Sequence, residues 1–251
     1  MCGRYTLKTS PQQLMSLFQV PVLPEIAPRY NIAPTQQVLV FRAADEADAG
    51  NAGNAGQFPG GNTVATPAAE AAGAARQATL MRWGLVPSWA KDLTIGSQMI
   101  NARSETAAEK PSFRSAFVRR RCLIPADGFY EWQKLADGRK QPWWIHPADG
   151  GVLAFAGLWE IWSGGGQVAP VVTCTILTTA AGPDVQGLHD RMPVILSPED
   201  WGLWLSGAAS KTQLQSLMQP LPAGRLQLQK VSTVVNRPAV DSPACLEPLS
   251  D

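Results

Sequence analysis

The sequence predicts an α+β fold, a single domain with a curved, barrel-like antiparallel β-sheet core flanked by helices. Three observations predict it. Strand-like runs follow one another at short spacing, with Asp-Gly turn dipeptides between several of them. Helix-start signals are confined to separate stretches, and no regular β-α-β alternation occurs. With 251 residues, 45% of them hydrophobic, the chain can bury one sizeable core and is read as one domain over 1–251.

The first element is a helix begun by Ser10-Pro11. The serine oxygen caps it, the proline presets φ, and Leu14 and Phe18 share a face. Val38 to Phe41 and Thr79 to Trp83 read as strands. Between them, residues 43–77 are compositionally foreign, with 13 Ala and 6 Gly among 35 residues. This stretch reads as a flexible insertion that extends a hairpin and does not divide two domains. It carries a net charge of −3, which leaves +4 for the rest of a chain whose total is +1. That bias is compatible with a nucleic-acid groove without being diagnostic of one. Further strands are expected at Arg121 to Ile124, Gly128 to Trp132, Gln141 to Ile145, Val152 to Trp162, Val171 to Thr179 and Met192 to Leu196. Ser197-Pro198-Glu199-Asp200 opens a helix carrying Trp201, Trp204 and Leu205, and another helix is expected from Ser210 to Met218.

The near-neutral total charge excludes a histone-like polycation and an acidic tail protein. The amino terminus lacks a signal-peptide pattern and no apolar run has bilayer length, so a cytoplasmic protein is expected. Cys2, Cys122, Cys174 and Cys245 form no C-x-x-C pair, and with only His146 and His189 available neither disulfides nor a zinc site are expected. No cofactor is expected.

Cys2 carries the chemistry that stands out. Removal of Met1 would leave a 1,2-aminothiol, with an amine of reference pKa about 7.7–8.0 beside a thiol of about 8.5. The amine can condense with an aldehyde to an imine, and the thiol can then close a five-membered thiazolidine ring, which no internal cysteine can do. Position alone equally suits a small residue opening a buried strand. Five other segments set polar or charged residues beside turn-fixing Pro, Gly or aromatic residues: Pro28 to Thr35, Trp83 to Trp89, Asn101 to Thr106, Gly128 to Trp132, and His189 to Pro193.

With Met1-Cys2-Gly3-Arg4-Tyr5, these segments lie in an order, over nearly the whole chain outside 43–77, that closely resembles the SRAP family. These are the abasic-site processing proteins that shield apurinic/apyrimidinic sites in single-stranded DNA. The resemblance implies a suicide reaction in which mature Cys2 traps the ring-opened abasic sugar as a thiazolidine, in the setting of DNA repair and the SOS response. It places the catalytic asparagine on Asn101, the acidic residue on Glu131 and the histidine on His189. Glu131 would be the acid/base, His189 would assist sugar opening, and Asn101 would orient the sugar or the Cys2 end. It places DNA-backbone contacts on Arg4, Arg103, Arg191 and Asn31, and an apolar wedge on Pro34 and Trp89. The implied partner is single-stranded DNA with abasic sites, including single-strand/double-strand junctions. A monomer is expected, cytoplasmic and nucleoid-associated when bound, with no metal and no membrane.

Each assignment has an alternative in the residues themselves. Glu131 also suits a solvent-facing strand position paired with Lys134, His189 a satisfied loop histidine, and Asn101 a cap for a helix at Ser104 to Glu109. Arg119, Arg120 and Arg121 read as a solvated basic run, with phosphate contact as the alternative. Two other functions remain open. One is a cysteine peptidase or amino-terminal-nucleophile hydrolase with His189 as base, for which autoproteolytic loss of Met1 would fit. The other is a noncatalytic single-strand-binding module.

Overall fold

In the computed structural model, which describes residues 2–44, 75–164 and 169–249, the strands divide between two sheets. Five strands close on themselves: β3 (Gln37–Ala43), β4 (Arg76–Trp83), β6 (Arg121–Ala126), β9 (Leu153–Trp162) and β10 (Val171–Ala180). The ring runs β10-β4-β3-β6-β9 and is completed by antiparallel β9–β10 pairing from Val171↔Trp162 to Ile176↔Gly157. The barrel-like expectation holds, but the barrel is mixed. β4 and β10 are parallel, as are β5 (Asn101–Arg103) and β10. Turn dipeptides report only on hairpins, whereas β10 reaches β4 and β5 across a long stretch of chain whose direction no local signal specifies.

The second sheet is open, in the order β12 (Leu226–Lys230), β8 (Lys140–Pro147), β7 (Gly128–Lys134), β1 (Tyr5–Leu7), β2 (Arg29–Ile32). β2 falls where the sequence suggested only a turn, because its pairing with β1, Tyr5↔Ile32 and Leu7↔Arg29, is long-range. Residues 231–249 lie against this sheet, burying Val231, Val235 and Cys245 with Tyr130.

The helices are short: α1 (Pro11–Phe18), α2 (Ser104–Ala107), α3 (Arg114–Arg119), α4 (Trp201–Leu205) and α5 (Lys211–Ser216). α1 starts as its sequence requires. Ser10 accepts from the Gln13 amide, Gln13 caps back, and Leu14 and Phe18 are buried. Phe18 stacks on Phe41 of the barrel at 3.9 Å and on Trp201 of α4 at 4.5 Å, so this face of the barrel is sealed by aromatic rings.

Two sequence expectations need correction. The β3–β4 ladder runs to Ala43↔Arg76, and the Ala44 amide donates to the Ala75 carbonyl. Ala43, Arg76 and Gln77, placed in the insertion by the sequence, therefore belong to the ladder itself. The flexibility expected for the rest concerns residues 45–74, which lie outside the described residues. Arg121 is neither solvated nor a phosphate contact. Its buried guanidinium donates to the carbonyls of Phe117, Val118, Trp204 and Ser206, satisfying the C-terminal ends of both α3 and α4. No helix among the described residues is long and apolar enough to cross a membrane.

Candidate active site

The site forms where the two sheets meet. On the open-sheet side, the Tyr130 amide donates to the Arg4 carbonyl at 2.9 Å, zipping the entry of β1 to β7 and bringing Cys2 and Glu131 together. On the barrel side, β5 and β11 (Arg191–Pro193) flank the C-terminal half of β10, with Asn101 opposite Ile176 and Arg191 opposite Ala180. Asn101 Nδ2 donates to the Cys2 carbonyl at 2.8 Å, and His189 Nε2 lies 4.0 Å from Glu131 Oε2. Cys2, Asn101, Glu131 and His189 thus converge from four separated stretches.

This arrangement excludes two of the sequence alternatives, a capping Asn101 and a solvent-facing Glu131. Asn101 caps no helix: the residue before α2 is Arg103, which makes no side-chain cap bond. Its Oδ1 is buried and has no hydrogen-bond partner among the described residues, an acceptor available to a bound molecule. Glu131 is only 4% exposed and does not face solvent. Burial raises its carboxyl above the usual glutamate range, and the nearby His189 partly opposes that shift. The Cys2 thiol is fully buried, with Sγ 3.7 Å from the Arg4 carbonyl. Burial pushes its pKa far above the ordinary thiol value, and the charge of Glu131 adds to the effect. The Arg191 amide donates to His189 Nδ1 at 2.9 Å, and the ring's Nε2 faces Glu131. Asp190 Oδ1 sits 2.9 Å from the same Nδ1.

The expected DNA-facing residues separate into three environments. Trp89 is 59% exposed at the tip of an anchored loop. The Val86 amide donates to Thr173 Oγ1, Ala90 N to the Pro87 carbonyl, and Trp162 Nε1 to the Ala90 carbonyl. Pro34 is half-buried beside Thr35, whose φ of 71° is a left-handed conformation that β-branched residues rarely adopt. The Thr35 amide donates to the Trp83 carbonyl, tying the two turns together. At the base of the Trp89 loop only glycine fits at position 84, where φ is 122° and a Cβ would lie 2.5 Å from the Gly96 carbonyl oxygen.

Arg103 is exposed. Arg4 is half-buried, with Nη1 donating to Asn31 Oδ1 and the Val235 carbonyl. Arg191 is held by both oxygens of Glu105 and by the Thr178 carbonyl. Asn31 is the departure from expectation. It is fully buried and its carboxamide is committed to protein groups, so it stands behind Arg4 and not at a DNA-facing surface. Glu105, Thr178 and Asp190 were not singled out from sequence. Glu105 and Asp190 lie inside motifs already noted, but the partners that define them come from other strands. No group of three or more His, Cys, Asp or Glu suited to a metal ion occurs among the described residues.

Residues 1–238 match the family described as SOS response associated peptidase (SRAP). The chain is 39% identical over 251 residues to the abasic site processing protein YoqW of Bacillus subtilis (strain 168), covering 98% of this chain and 99% of that one. It is 35% identical over 192 residues to the abasic site processing protein HMCES of Gallus gallus, covering 67% and 56% respectively. Among solved structures, a protein from Bordetella bronchiseptica superposes with a TM-score of 0.70 at 27% identity, covering 92% of this chain and 100% of that one. A protein from Bacteroides thetaiotaomicron reaches 0.78 at 19% identity, covering 99% and 100%, a likeness of fold.

Proposed function

The chain belongs to the SOS response associated peptidase (SRAP) family, and from that premise we propose that it senses abasic sites in single-stranded DNA and crosslinks to them through mature Cys2. The observation that carries this reading is the convergence of Cys2, Asn101, Glu131 and His189 at the junction of the sheets.

Loss of Met1 converts the Cys2 nitrogen from an amide to an amine. That amine attacks C1′ of the ring-opened sugar, giving a hemiaminal that loses water to form an imine. The Cys2 sulfur then adds to the carbon of the protonated imine as the thiol proton leaves to a base, replacing the proton spent on the departing hydroxyl, so the thiazolidine retains every atom of the two reactants except one water. A thiol whose pKa is raised by burial is a poor nucleophile by itself, which favours attack by the amine first. Glu131, protonated more readily than an exposed glutamate, is suited to protonate the departing hydroxyl and then to receive the thiol proton. His189 hydrogen-bonds the sugar oxygen through Nε2 and helps the ring open. Asn101 steadies the Cys2 end through its carbonyl while its unpartnered Oδ1 accepts from the sugar or the amine. Trp89 and Pro34 supply apolar surface for bases beside the lesion, and Arg4, Arg103 and Arg191 the positive charge.

Intact-protein mass spectrometry tests this directly. Mixing with an abasic single-stranded oligonucleotide is expected to give the summed mass minus one water, with no adduct from Cys2→Ala or from undamaged DNA. A chain shown to have lost Met1 that forms no adduct would overturn the reading. A chain engineered to begin at Cys2 should crosslink with no proteolytic step, which separates this chemistry from a hydrolase.

A further inference from the structure

Arg4 is held in a specific way. Both hydrogens of its Nη1 are used inside the protein, one by Asn31 Oδ1 at 2.8 Å and one by the Val235 carbonyl at 3.0 Å. Its guanidinium carbon lies 5.9 Å from the Trp132 ring centroid, and Trp132 Nε1 is fixed by Asn236 Oδ1 at 2.7 Å. Nε and Nη2 bond to none of the described residues. Those two groups form the side-on fork with which arginine grips two oxygens of one phosphate.

What fixes Arg4 is fixed in turn by the chain's C-terminal segment. Asn31 Nδ2 donates to the carbonyls of Val235 at 3.1 Å, Arg237 at 3.1 Å and Val240 at 2.7 Å. Asp241 Oδ1 accepts from the Asn31 amide at 2.9 Å and also from that of Tyr30, and its Oδ2 accepts from Arg29 Nε. One carboxamide therefore both grips residues 235–240 and sets the guanidinium.

We propose that Asn31 is a positioning residue that, seated on the C-terminal segment, orients Arg4 so that its Nε–Nη2 edge receives one DNA phosphate. Asn31 acts through Arg4 and touches no DNA. The proposal rests on the single-stranded DNA reading above.

The test is a double-mutant cycle on the full chain, with binding to an undamaged single-stranded oligonucleotide followed by anisotropy from about 50 to about 200 mM salt. Arg4→Ala is expected to weaken binding about tenfold and to reduce the slope of log affinity against log salt by about 0.7, one phosphate's worth. Asn31→Ala is expected to do the same, and the double variant to bind no more weakly than Arg4→Ala. Should Asn31→Ala fail to melt as a folded protein, Asp241→Ala, at a site 23% exposed, replaces it with the same expected direction. Wild-type affinity and slope in the Asn31 variant, or a double variant weakened by the product of the two single effects, overturns the proposal. A wild-type chain that binds no single-stranded DNA defeats the underlying reading instead, and is recognised before any variant is made.

Discussion

Arg4 and Arg191 reach the same site from different sheets and are bound in opposite ways. Arg4 uses only Nη1 within the protein and keeps its side-on fork open. Arg191 gives Nη1 and Nη2 to the two oxygens of Glu105 and a further Nη2 bond to the Thr178 carbonyl, while its buried Nε has no partner among the described residues. Its backbone amide also holds His189 Nδ1. Two arginines of equal charge beside one site thus present different edges for a ligand. What matters is which edge of the guanidinium the fold leaves over.

The comparison is bounded first by a residue that should change chemistry and leave both arginines alone. Glu131→Gln is expected to slow adduct formation by about 100-fold or more while DNA affinity stays within about twofold. Single-turnover gel assays beside anisotropy measure the two quantities, and equal losses in both would move Glu131 to a structural role. Arg191→Ala is expected next in size, about tenfold in the rate at saturating DNA, because it removes the strut between α2, β10 and β11 and loosens the amide that holds His189. Arg4→Ala should leave that saturating rate within about twofold, so a rate loss shared equally by the two arginines would erase the contrast.

Trp89→Ala is expected to weaken DNA binding about tenfold, one stacked base, with little change in salt slope. Glu105→Ala sharpens the contrast from the other side. Freed from its carboxylate, Arg191 should steepen the salt slope by about 0.7, the opposite sign from Arg4→Ala. An unchanged slope would show that Glu105 does not withhold Arg191 from phosphate.

The smallest effect is on stability. Burial raises the Glu131 pKa in the folded state, so between the ordinary glutamate range and the raised value the folded chain holds a proton that the unfolded chain has released. Its contribution is full below the ordinary range and is lost as pH rises through the raised value. Chemical denaturation from pH 4 to 8 should show that decline in the wild type and a flatter profile in Glu131→Gln.

Much of this was legible along the chain. The capping box at Ser10, the apolar runs of β3, β6, β9 and β10, and the β3–β4 pairing across the Ala/Gly stretch follow from local propensity and spacing, which act over a few residues. The proposed reactive group was legible too, since the 1,2-aminothiol that loss of Met1 would expose depends on Cys2 alone. The direction of β10 beside β4, the burial of Arg121 under two helix ends and the existence of β2 were not, because each depends on partners many residues away. The same holds within the site. The sequence by itself determined which chemical groups are present and in what order. Only the tertiary structure decided that Glu131 is desolvated, that Asn101 grips Cys2, that Asn31 lies behind Arg4, and that Arg191 is already paired. Desolvation and hydrogen-bond geometry depend on what surrounds a group in space, and no local pattern encodes those surroundings.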